Sequence, residues 1–98
     1  MPPEIKDLAT LFLEVGRLDP QHSLYLNEEA PYGKNSLCMV VNNNSEEKGF
    51  AAENGFYPIF EIATVQKIVI EASNRLPDIT LDELIEAFNF YYEEHDFI

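Results

Sequence analysis

Basic residues are scarce in this chain. Six Lys and Arg stand against 18 Asp and Glu, a formal net charge of −12 over 98 residues. A field of that sign repels phosphate backbones and anionic lipid, and no basic stripe is present to neutralise phosphates. Direct nucleic-acid binding and adhesion to an anionic membrane are therefore strongly disfavoured, while encounter with basic proteins is speeded. Cysteine is rarer still. Cys38 stands alone, so no intrachain disulfide can form. Its place within the apolar run 37–41 predicts a buried, reduced thiol acting as a small hydrophobe, which fits a reducing compartment. Neither His22 nor His95 has a second His four residues on, and there is no CxxC, so no zinc site is expected. The sequence contains no GxSxG, P-loop or GxGxxG. No apolar stretch approaches the ~20 residues of a membrane span. The first residues lack the basic region and small-residue cleavage site of a signal peptide. Together these absences predict a cytoplasmic protein without cofactor, metal or enzymatic activity.

What is present suits one modest core. The chain is 46% hydrophobic and 12% aromatic, and a chain of this length buries roughly 60–65% of its unfolded surface. One domain spanning residues 1–98 is expected.

Helical spacing of Ile5, Leu8, Leu11, Phe12 and Val15 predicts a first helix over 4–15, with Gly16 placed for a left-handed C-cap. Leu13 falls off that face, so it either makes a second contact or is exposed. Residues 24–26 and 37–41 read as strands, joined by turn-forming residues and most simply paired antiparallel. Residues 42–49 read as a polar loop, and 50–54 as a short helical turn stopping at Gly55. Residues 57–60 read as a third strand, at a sheet edge because of Pro58. Ile62, Val65, Ile68, Val69 and Ala72 share one face of a helix over 62–74, which Pro77 ends. Thr80 and Glu83 match a capping box opening a last helix, whose core stripe is Leu81, Leu84, Ile85, Phe88, Tyr91 and Tyr92. The expected fold is α+β: a small antiparallel sheet of about three strands with helices packed on it, in the order α-β-β-β-α-α.

Asn42, Asn44, Glu46 and Glu53 fall at calcium-loop positions. That loop needs Gly at its sixth place, however, and Glu47 stands there, so a solvated polar loop is the better reading. Asn43-Asn44-Ser45 is formally a glycosylation sequon, without meaning in a cytoplasmic protein. Adjacent acids such as Glu28-Glu29 and Glu46-Glu47 share one environment, water. They lack the split environments that acid/base catalysis requires.

The ending LDELIEAFNFYYEEHDFI carries six acids and no Lys or Arg. In projection, Asp82, Glu83, Glu86, Asn89, Phe90 and Glu93 share the side opposite the core stripe. Asp82 and Glu86 are like charges at i,i+4, and Glu93, Glu94 and Asp96 oppose the helix dipole near its C-terminus. Two unfavourable local choices on one surface point to a functional patch. Two readings of Phe90 stay open. It is covered by another element, either the tail Phe97-Ile98 or the preceding helix, or it is an aromatic anchor within a polar rim. On the second reading the partner-binding residues are Asp82, Glu83, Glu86, Phe90, Glu93, Glu94 and Asp96.

This ending, the stretch HSLYLNEE (residues 22–29) and the overall layout resemble small acidic immunity proteins of bacterial contact-dependent growth inhibition and related polymorphic toxin systems. The resemblance implies a cytoplasmic protein that binds and neutralises one cognate toxin domain, often a basic nuclease. The rival reading of the same surface is an acidic adaptor or regulatory domain with a non-toxin partner.

Overall fold

The computed structural model describes residues 4–94. Its order is β1 (Ile5–Asp7), α1 (Leu8–Glu14), a 3-10 turn (Val15–Arg17), β2 (Ser23–Leu26), β3 (Leu37–Val41), α2 (Ser45–Glu53), β4 (Tyr57–Glu61), α3 (Ile62–Arg75) and α4 (Leu81–Glu94). The α+β class is as expected, but the sheet has four strands, ordered β1-β3-β2-β4, with every pairing antiparallel.

The additional strand comes from the segment expected to begin the first helix. Asp7 is extended and its side chain accepts from Thr10 N at 2.8 Å, so it caps α1 and leaves residues before it in β conformation. Ile5 then pairs opposite Met39 on the sheet instead of lying on a helix face. Gly16 sits in the 3-10 turn and is not left-handed; that conformation belongs to Gly55, at φ 79°. Leu13 is simply exposed, at 81%.

The sheet is covered on both faces because β2 and β3 alternate apolar residues to each. Leu24, Leu26 and Cys38 join the main core with α1, α3 and α4, through Leu8, Leu11, Phe12, Ile62, Val65, Ile68, Ile85 and Phe88. Tyr25, Met39 and Val41 face the other way, onto Ala51 and Phe56. That second cluster depends on α2, whose first half was expected to be loop. Asn44 caps it by accepting from Glu47 N at 2.8 Å, and the Glu47 carboxylate accepts in return from Asn42 N and Asn44 Nδ2. Of the residues at calcium-loop positions, Asn42 and Asn44 thus serve a helix N-terminus. At the other end, Phe56 N donates to Ala51 O and Gly55 N to Ala52 O, the paired bonds of a Schellman stop.

Pro58 lies on the edge strand β4, as expected, and a bulge interrupts the β2–β4 register there. α3 forms within a residue of its expected bounds, and α4 opens at Leu81 directly after Thr80, as expected. Phe88 anchors α4 through edge-on ring contacts with Phe12, Tyr32 and Phe60 at 5.4–5.9 Å between centroids. Among the described residues no helix is long and apolar enough to cross a membrane.

Candidate functional site

The start of α4 is built by the expected capping box. Glu83 Oε1 accepts from Thr80 N at 3.1 Å and from Thr80 Oγ1 at 3.0 Å, while Glu83 N donates to Thr80 Oγ1 at 3.2 Å. Glu83 is therefore held in place, with one oxygen committed to the cap. Asp82, Glu86, Phe90, Glu93 and Glu94 are exposed and Glu83 is half-buried. Asp96, and the tail residues Phe97 and Ile98 considered as a cover for Phe90, lie outside the described residues, as does His95.

Asn89 does not belong to the free face. Its Oδ1 accepts from Tyr32 N at 2.6 Å, and its Nδ2 donates to Tyr32 O at 2.8 Å and Ile85 O at 3.1 Å. It is the clamp that fixes the 27–36 loop, including the cis Ala30-Pro31 peptide, against α4. Tyr32 is buried there, edge-on to Phe88 and Tyr92. Burial, then the neighbouring Tyr92 and the charges of Glu28 and Glu29, pushes its phenol up to about 12. Glu28 itself accepts from the hydroxyl of the buried Ser36, whose oxygen in turn accepts from Gly33 N.

The opposite flank of α4 also departs from the expected stripe. Ala87 is buried, whereas Leu84 is only partly so. With Glu83 and Glu86, Ala87 lines a groove against Ile68, Glu71, Ala72 and Arg75 of α3, and Leu76 and Ile79 of the connecting turn. The exposed strip of α4 is thus narrower than projection predicted. It runs through Asp82, Glu86, Phe90 and Glu93, between the clamped loop and the groove.

Phe90 is 40% exposed. Exposure alone does not single it out, since Leu13, Tyr57, Ile70, Ile5, Leu76 and Leu37 are more exposed. Its surroundings do. It takes part in none of the ring contacts that bind Phe88, Tyr91 and Tyr92, and carboxylates flank it along the strip. Lys6 pairs with Glu14 and His22 with Asp19, both away from α4.

The arrangement provides contact surface. Burial pushes the Cys38 thiol up to about 12, against a smaller opposing effect of the Lys6 charge, so it is a poor nucleophile at neutral pH. Among the described residues no three His, Cys, Asp or Glu side chains are grouped to hold a metal ion.

These features define an α+β protein with a three-layer core and an acidic, aromatic-bearing last helix. Residues 5–98 match the family described as "Domain of unknown function (DUF7716)", and the chain belongs to that family. No curated protein matches it, and no solved structure does.

Proposed function

We propose that the protein is a non-enzymatic inhibitor that binds a cognate bacterial toxin domain, a basic nuclease, and neutralises it through the acidic strip of α4. The observation that carries this reading is Phe90, partly exposed between Glu86 and Glu93 on a helix without Lys or Arg. A desolvated aromatic centre within a polar rim is the anatomy of an interface hot spot. The like charges along α4, which no Lys or Arg of the helix itself offsets, are what a basic partner would relieve. The net charge of −12 would steer that encounter.

The experiment is co-expression with the protein encoded directly upstream, followed by affinity capture and a toxin-rescue assay. A stable complex that restores growth is the expected result. A complex with a non-toxin protein would reassign the strip to an adaptor, and absence of binding would remove the proposal.

A further inference from the structure

Beside the acidic strip, α3 and α4 line a groove of about 490 Å³. That is within the roughly 300–1,000 Å³ of cavities that hold small ligands. Its floor is apolar: Ile68, Ala72, Leu76, Ile79 and Ala87. Ala72 of α3 and Ala87 of α4 both line it, and their small side chains take up little of its space. The turn that joins the two helices is held by hydrogen bonds, Leu76 N donating to Ala72 O at 3.0 Å and Ile79 N to Leu76 O at 2.9 Å. The groove is therefore preformed and does not await ordering on binding, which lowers the cost of filling it.

Charge decides what fits. Glu71, Glu83 and Glu86 line the groove with a single cation, Arg75. Glu83 is positioned there by its contacts with Thr80. Arg75 belongs to the last turn of α3, whereas Glu86 is on the side that leads to Phe90. Three carboxylates against one cation favour an occupant that carries positive charge beside its apolar part.

We propose that this groove receives an apolar side chain, of the size of leucine or phenylalanine, from a segment of the protein partner in which Lys or Arg flanks that side chain. The inference rests on the reading of α4 as a surface for a basic protein. It adds that the contact has two apolar elements: Phe90 projects toward the partner, and the groove accepts from it. The groove also enlarges the site to Glu71, Leu76 and Ile79, outside the acidic ending that sequence periodicity brought forward.

The test uses the whole protein labelled with 15N and three synthetic helical peptides of equal length, composed of Lys and Leu, Lys and Ser, or Glu and Leu. Binding of the Lys/Leu peptide should shift the amide signals of Ala72, Leu76, Ile79 and Ala87. The Lys/Ser peptide should shift only those of the acidic strip, and the Glu/Leu peptide neither. Leu76→Ser, at a position 49% exposed and so tolerant of change, should weaken the Lys/Leu peptide about fivefold through lost apolar contact. Shifts confined to Asp82, Glu86, Phe90 and Glu93, or equal affinity of the Lys/Leu and Lys/Ser peptides, overturn the groove while leaving the acidic strip standing. No binding of either Lys peptide overturns both.

Discussion

The side chain of Asn89 holds both backbone polar groups of Tyr32, accepting from its N–H at 2.6 Å and donating to its C=O at 2.8 Å. The two residues are 57 apart in sequence, and the contact joins the 27–36 loop to α4 as a strand partner would. A buried or half-buried peptide group left without partners costs about 1–3 kcal/mol. Asn89→Ala should therefore destabilise the fold by about 2 kcal/mol. The urea midpoint reads this, provided the slope of the transition is unchanged. Asn89→Asp should be no better, since it removes both donors and sets a carboxylate against the Tyr32 carbonyl. A midpoint unmoved by both substitutions would show that the clamp is incidental.

Phe88 and Phe90 are two residues apart and should respond in opposite ways. Phe88 is fully buried and touches three other rings, so Phe88→Ala should cost about 3–5 kcal/mol. Phe90→Ala should stay within about 1 kcal/mol of the parent, yet raise the partner's off-rate at least about tenfold. Thermal unfolding and surface-plasmon dissociation measure the two effects separately. Loss of folding in Phe90→Ala would place that ring in the core and remove it from the interface.

Much of this contrast was legible before any coordinates. The bounds of β3, the face of α3 and the Thr80–Glu83 cap follow from local chemistry, and local chemistry decided them. Three features did not. Ile5 sits at helical spacing from Leu8 by coincidence, and the cap at Asp7 overrides it. α2 has few apolar residues to reveal a period; its signal was the Asn44–Glu47 pair, the same device recognised at Thr80. Asn89 fell on the polar side of a projection that contains no other chain segment. Only the docking of Tyr32 shows that this side is occupied. The groove has the same origin, since Ala72 and Ala87 become a feature only when their helices meet.

Electrostatic steering should be separable from residence. Glu86 and Glu93 are exposed and, unlike Glu83, have no role in a cap. Glu86→Lys with Glu93→Lys should leave stability unchanged or raise it by a few tenths of a kcal/mol, about what relief of a like-charge pair with Asp82 provides. The on-rate for a basic toxin domain should fall about tenfold at low salt, with a difference that shrinks as ionic strength rises. Stopped-flow association over a salt series measures this. An on-rate indifferent to both the substitution and salt would detach the charge of α4 from encounter.

Alkaline pH should destabilise the protein through two buried groups. Burial raises the Cys38 thiol from its ordinary 9.0 to about 12, and raises the Tyr32 phenol from 10.0 to about 12. In both cases the folded state holds the proton more tightly than the unfolded chain does. Their contribution to stability is therefore complete below about pH 9, where both states are protonated. It is lost as pH rises from 9 towards 12, where the unfolded chain ionises first. Urea unfolding at pH 7.5, 9, 10 and 11 should show a falling midpoint, and Cys38→Ala should flatten the part of the fall that begins near pH 9. The same burial predicts that a thiol reagent labels Cys38 only as fast as the protein opens. Labelling of the native state at the rate of a free thiol, or a flat stability profile to pH 11, would contradict a Cys38 sealed between β1, β2 and the main core.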